Sequence, residues 1–192
     1  MDSSLAYENN ALAYLRERDK SLVGYKIVQQ WANSLPAAAE VIEIACGGGY
    51  PVSKQLVETG LRLWAIDSSA TLITKFNERF PDVVIQCERF QDSHFFSRKF
   101  DAALAVGLIF LLPEPEQSLL INKVAAILKP KGRFLFTAPT QIGTWRDLNT
   151  GIECLSLGQQ RYQTMLESSD LNIVASYEDA GKNHYYEAKK RT

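Results

Sequence analysis

The succession Val41-Ile42-Glu43-Ile44-Ala45-Cys46 followed by Gly47, Gly48, Gly49, Tyr50 and Pro51 narrows the possible folds more than any other part of the chain. An apolar run from Val41 to Ile44 reads as a strand covered on both faces. The glycines then let the backbone turn tightly and allow another molecule to approach it. Pro51 suits the start of a helix, where its missing N–H is no loss. Strand, glycine turn and helix together hold an adenosine-containing cofactor against backbone N–H groups and a helix N-terminus.

The rest of the chain repeats the alternation. Strand Val41–Ala45 is followed by a helix from Pro51 to about Thr59, which Gly60 stops. "LRLWAID" is a second strand, and Ser68-Ser69 caps a second helix. "DVVIQC", "FDAALAV" and "RFLFTA" read as the third, fourth and fifth strands, with a helix from about Glu114 to Leu128 before the last. Buried strands alternating with amphipathic helices imply an α/β fold, a parallel sheet with helices on both faces. Ahead of the first strand, "LAYENNALAYLRERDK" predicts a helix with Leu5, Leu12 and Leu15 on its buried stripe, and Ile27, Val28, Trp31 and Leu35 mark another. After Pro139, "TQIGTWRDLNTGIECLSLG" reads as a long irregular connection carrying function. "QQRYQTMLESSD" is then a helix, and "LNIVASYE" and "HYYEAKK" flank a turn at "DAGKN" as a terminal hairpin. With 192 residues, no repeat and no linker, one domain is expected: a helical cap over 1–39, a cofactor-binding core over 40–138, and a substrate-side segment with the hairpin over 139–192.

Composition excludes several functions. A net charge of −1 gives no general attraction to nucleic acid or anionic membranes, and the basic Lys189-Lys190-Arg191 end reads as a solvated tail. Cys46, Cys87 and Cys154 have no CxxC spacing, so neither a disulfide framework nor a metal site is expected. Cys46 and Cys87 read as small packing residues. A polar start and no apolar run long enough for a bilayer point to a cytoplasmic protein.

Two cofactor classes use the opening unit. A nicotinamide enzyme uses G-x-G-x-x-G, whereas the pattern here is Ala45-x-Gly47-x-Gly49 with no third glycine in place. Asp67 ends the second strand twenty residues after Gly47, where a carboxylate accepts hydrogen bonds from ribose hydroxyls in either class.

"VIEIACGGGYP", "AIDSS", "FDAALAVGLIFLLP" and "LKPKGRFLFTA", in that order over Glu40–Ala138, resemble the successive motifs of class I S-adenosylmethionine-dependent methyltransferases. The resemblance implies a doubly wound, Rossmann-like fold, with a seven-stranded, mostly parallel sheet whose last strand is antiparallel. It implies S-adenosylmethionine as cofactor and S-adenosylhomocysteine as product. By the same resemblance Glu43 orients the methionine amino group, and Ala45, Gly47 and Gly49 form the loop against methionine and ribose. Asp67 clasps the ribose hydroxyls with Ser68 beside the adenine. Glu88 accepts from the adenine amino group, with Asp92 its rival, and Arg89 offers its backbone N–H. Ala105, Val106 and Gly107 line the methyl donor. Ala45 departs from the family's first glycine.

No motif for nucleic-acid bases, glutamine amides or metal-assisted catechol chemistry is found, and "GLIFLLP" presents an apolar wall. A small-molecule acceptor is therefore expected, without a membrane or nucleic-acid partner. An RNA or protein methyltransferase, a non-catalytic adenosylmethionine-binding protein and an NAD-dependent oxidoreductase are the alternatives. Candidate acceptor-side residues are Trp145, Arg146 and Asp147 after the fifth strand and Asn183, His184, Tyr185 and Tyr186 at the start of the last strand, with Tyr7, Tyr14 and Arg16 closing from the N-terminal helices. Alternation puts only one of Tyr185 and Tyr186 in the pocket. The segments 1–39 and 141–158 are expected to form a lid. The sequence leaves the methylated atom and the oligomeric state open.

Overall fold

Two helices, α1 (Ser3–Arg18) and α2 (Tyr25–Asn33), precede the first strand in this computed structural model, which describes residues 2–192. Strands and helices then alternate: β1 (Glu40–Ile44), α3 (Val52–Glu58), β2 (Arg62–Asp67), α4 (Ala70–Arg79), β3 (Val84–Cys87), β4 (Phe100–Ala105), α5 (Glu114–Ile127) and β5 (Leu128–Thr137). A two-stranded ribbon, β6 (Ile142–Arg146) and β7 (Glu153–Leu157), leads to α6 (Gln159–Glu167), β8 (Leu171–Glu178) and β9 (His184–Lys190). Seven strands form one sheet in the order β3-β2-β1-β4-β5-β9-β8. All pairs from β3 to β5 are parallel, and β9 runs antiparallel to both neighbours.

Burial explains why these strands read as apolar runs. One face of the sheet presents Ile42, Ile44, Ala103, Phe134, Phe136 and Tyr186 to α5 and α6. The other presents Val41, Ala65, Leu104, Leu135 and Tyr185 to α2, α3 and α4, through Trp31, Leu56 and Phe76. Both faces are covered, as a doubly wound sheet requires. Asp101 ties the strand starts together by accepting from the Glu40 N–H (2.9 Å) and from Lys129 Nζ (3.0 Å).

Four expectations need correction. The buried side of α1 is Ala6, Ala11 and Leu15, whereas Leu5 is 55% and Leu12 68% exposed. Short side chains let this helix sit close to Leu72 of α4, with the larger leucines turned outward. The connection after Pro139 is a hairpin: β6 pairs with β7 from Ile142↔Leu157 to Arg146↔Glu153. Every residue of β6 is exposed, so it lacks the one-face-in alternation by which sequence betrays a strand. β5 starts at Leu128 rather than Arg133, because a register shift between Phe100 and Ala102 takes up Lys129–Gly132. Cys87 is exposed, at the end of the edge strand.

Candidate active site

The strand order reverses between β1 and β4, and a cavity of about 480 Å³ opens there. Crevices outside the carboxyl ends of parallel strands at such a reversal are where doubly wound folds bind ligands. Its floor is the β1–α3 loop. Ala45 (φ 61°), Gly47 (φ 57°) and Gly49 (φ 87°) are all left-handed there, which costs a residue with a Cβ, such as Ala45, about 1 kcal/mol. The loop is held by the Ala45 and Cys46 N–H groups donating to Ile66 O (2.9 and 3.2 Å). Gly47 lies under Tyr14, whose ring and hydroxyl stand 3.4 Å from where a Cβ would be. Gly49 does not line the cavity: a Cβ there would fall 2.3 Å from the Phe80 ring. Its expected place against the cofactor is thus corrected to packing against α4.

Four carboxylates face the cavity, and their partners differ. Glu43 on β1 is 3% exposed and accepts one hydrogen bond, from Ser53 Oγ at 2.6 Å. Burial pushes its pKa up to about 8; the serine contact opposes the rise and the nearby Asp67 charge adds to it. Asp67 at the end of β2 accepts the Gly47 N–H on one oxygen (2.8 Å) and the Ser69 N–H on the other (2.9 Å). Burial raises its pKa while those N–H groups pull it down. Glu88 accepts from Ser93 Oγ at 2.5 Å, and its N–H donates to Asp67 O (2.9 Å). Asp92, its rival, is exposed and outside the cavity. The fourth, Asp147, sits in the β6–β7 turn.

Ser68, Arg89, Val106 and Gly107 line the cavity as expected. Ala105 does not; it is fully buried in the sheet. Gly107 is fixed by its N–H donating to Thr137 Oγ1 at 2.7 Å. Of the acceptor-side candidates Asp147, Asn183 and Tyr185 are lining residues, the Tyr185 hydroxyl donating to Asp179 Oδ2 (3.2 Å). His184 is on the opposite side of β9, its ring 4.5 Å from that of Tyr186, which packs against Phe136. Trp145 packs at a tilt behind the lining residue Phe110 (5.4 Å), and Arg146 donates to Gly151 O (3.1 Å) beside a separate cavity.

The N-terminal helix forms the opposite wall. Glu8 accepts from Ser69 Oγ, Thr71 Oγ1 and the Thr71 N–H, docking α1 on the start of α4. At the other end Arg79 of α4 donates to Asp19 Oδ1 (2.9 Å) and to Gly48 O (2.8 Å), tying helix and glycine loop together. Tyr7 and Tyr14 therefore face the cavity, with rings 5.4 Å apart. The cation that α1 turns to the cavity is Arg18, two residues beyond the expected Arg16, which is exposed. Both Arg18 terminal nitrogens donate to Val23 O (3.2 and 3.3 Å). Sequence reading missed Arg18 because the α1 stripe on which it lies is built from alanines. Among the described residues no cluster of His, Cys, Asp and Glu could hold a metal, and no helix is long and apolar enough to cross a membrane.

Residues 41–132 match the family model described as "Methyltransferase domain". No curated protein matches the chain. Among solved structures, the glycopeptide N-methyltransferase MtfA superposes with a TM-score of 0.73 at 16% identity, over 88% of this chain and 97% of that one. The 1,6-didemethyltoxoflavin-N1-methyltransferase of Burkholderia thailandensis gives 0.72 at 14% identity, over 98% and 89%. Magnesium protoporphyrin IX methyltransferase from Synechocystis PCC 6803 gives 0.67 at 13%, over 98% and 82%. The family match spans the strands and loops that build the cavity floor, and the seven-stranded order to the end of the chain is the fold of these solved methyltransferases.

Proposed function

We propose that the protein methylates a small molecule bound between α1 and the β6–β7 turn, above S-adenosylmethionine seated on the glycine loop. The observation that carries this reading is the cavity itself, which has one polar and one largely apolar end. Glu43, Ala45, Gly47, Asp67, Ser68, Glu88 and Arg89 gather at the first; Leu108, Phe110, Leu111 and Leu148 belong to the second. The cofactor fits the polar end. A buried carboxylate with a single neutral partner has a strong need for a cation, and the methionine ammonium supplies one to Glu43. Arg18 is the matching site for the methionine carboxylate. Asp67 keeps a free lone pair on each oxygen for the ribose hydroxyls. Glu88 takes the adenine amino group, and the Arg89 N–H an adenine nitrogen. Val106 and Gly107 face the methyl donor.

The bound cofactor supplies an activated methyl group on a sulfonium, so this chain's task is alignment and exclusion of water. α1 and the β6–β7 turn meet over the cavity, where Tyr7 Oη approaches Asp147 Oδ1 at 3.5 Å. They serve as the lid. The enclosure suits a small acceptor better than a folded macromolecule, and the solved relatives named above act on small molecules or a glycopeptide by their printed names. The test is a metabolite-library screen read by S-adenosylhomocysteine release, with mass spectrometry of the product. Turnover confined to RNA or protein preparations refutes the small-molecule reading.

A further inference from the structure

We propose that the methyl acceptor is an amine on an apolar or aromatic frame, and that Asp147 receives its proton. This rests on the small-molecule reading above and adds the chemical class of the acceptor and the methylated atom. The argument comes from the hydrogen-bonding capacity left over at the far end of the cavity. Asp147 Oδ2 is engaged twice, by the Thr150 N–H (2.9 Å) and by Thr150 Oγ1 (2.6 Å). Its Oδ1 has only the Tyr7 hydroxyl at 3.5 Å, the outer limit of a hydrogen bond, so it is available to a better donor. Tyr185 belongs to the methionine end, its hydroxyl against Gly24 beside Val23 and Arg18, and gives its proton to Asp179. The Asn183 amide nitrogen is likewise occupied by Asp179, at 3.1 Å from each oxygen.

The two cations near the cavity are committed elsewhere. Arg18 lies at the methionine end and donates to Val23 O, and Arg89 pairs with Asp2 at 3.0 Å. Asp147 Oδ1 is thus an open acceptor at the far end, beside the neutral amide of Asn149 and with no lining cation next to it, which suits an ammonium and disfavours a carboxylate or phosphate. Phe110 and Leu111 supply the apolar surroundings, with the exposed Leu148 at the rim. Of the other three carboxylates at the cavity, Glu43 and Asp67 lie on the strand ends under the cofactor and Glu88 at its adenine end, and His184 faces away.

The proton and electron balance follows. An ammonium has no lone pair, so Asp147 Oδ1 first takes one proton and leaves the neutral amine. The nitrogen lone pair then forms the bond to the methyl carbon as the carbon–sulfur bond breaks, with sulfur keeping that electron pair. The positive charge passes from sulfonium to the methylated ammonium, and Asp147 returns its proton to water at the mouth of the site.

The experiment uses the full chain saturated with S-adenosylhomocysteine and three probes on one frame: benzylamine, benzyl alcohol and benzoate, titrated by NMR. Benzylamine is expected to bind at least about tenfold more tightly than either other probe, an ion pair in a partly desolvated site contributing about that much. Asp147→Asn keeps an oxygen for Thr150 and is expected to lose the tenfold preference while benzyl alcohol binding and S-adenosylhomocysteine affinity stay as in the wild type. Tyr7→Phe is expected to retain the preference. Circular dichroism and thermal melting establish that both variants fold; Asp147→Ser serves if Asp147→Asn does not. In the metabolite screen, mass spectrometry is expected to locate the added methyl on nitrogen. Equal binding of the three probes, a preference that survives Asp147→Asn, or methylation at oxygen overturns the proposal. Failure to bind S-adenosylhomocysteine overturns instead the functional reading beneath it.

Discussion

Glu43 makes a quantitative test of how the cofactor is held. In the ligand-free protein burial places its pKa at about 8. At pH 6.5 such a group is about 97% protonated. The α-amino group of the ligand, at about 7.8, is then almost wholly charged. Binding brings that ammonium to the carboxyl and favours the ionised form, so the proton must leave. Isothermal titration with S-adenosylhomocysteine at pH 6.5, in buffers of different ionisation enthalpy, is expected to register release of about 0.9 proton per ligand. The dissociation constant should rise about eightfold between pH 7 and pH 6. Glu43→Gln should release almost none and bind with nearly constant affinity over that range. The same shift has the opposite consequence for the empty fold. Its folded pKa lies above the ordinary 4.5, so the native state holds the extra proton, and stability falls as pH rises from about 4.5 to 8. The upper bound of that loss is roughly 4–5 kcal/mol, and melting of Glu43→Gln should lack it. Release below about 0.3 proton together with a flat affinity profile would refute the pairing of Glu43 with the ammonium.

Asp67→Ala should weaken S-adenosylhomocysteine binding by about 10- to 150-fold, the loss of at least one charge-assisted hydrogen bond; an unchanged constant in calorimetry would place the ribose hydroxyls elsewhere. Gly49→Ala should lower the melting temperature by about 6–12 °C, since its Cβ would collide with Phe80 in a left-handed backbone. Gly47→Ala should melt within about 4 °C of the wild type and instead lose ligand affinity, because only Tyr14 and the cavity face it; the reverse ranking would undo the division between packing and binding glycines. Hydrogen exchange in α1 and in residues 141–158 should slow on adding S-adenosylhomocysteine, and indifference of both segments to ligand would remove the lid.

The parts legible from sequence were those in which one physical demand dominates. Strands buried on both faces leave continuous apolar runs, so β1, β2, β4 and the core of β5 and their parallel arrangement could be read directly. The place of Asp67 was legible because it closes a strand twenty residues after Gly47, and the structure puts it in hydrogen-bond contact with the glycine loop. The N-terminal and post-β5 segments obey weaker demands. α1 is seated by alanines and by hydrogen bonds from Ser69 and Thr71 to Glu8, neither of which leaves a hydrophobic stripe. β6 is exposed along its whole length. For that reason Arg18 emerges only from the folded chain, as does which oxygen of the sequence candidate Asp147 is free, whereas His184 is suggested by residue type alone. Gly49 shows a further ambiguity: the same residue serves a turn next to a ligand or a turn against an aromatic ring, and only Phe80 decides between them.

The start of α1 also determines how the protein has to be handled at the bench. Ser3 and Ser4 line the cavity, and Asp2 pairs with Arg89 beside it. A tag fused just ahead of these residues emerges at the mouth of the cavity, where a run of histidines or a cleavage scar would compete with ligand and alter titration curves near neutral pH. At the other terminus Arg191 donates its N–H to Asp170 O at 2.9 Å, in the turn between α6 and β8 at the far edge of the sheet. A carboxyl-terminal tag leaves the entrance clear, and binding or turnover measured with the two placements should differ for that reason alone.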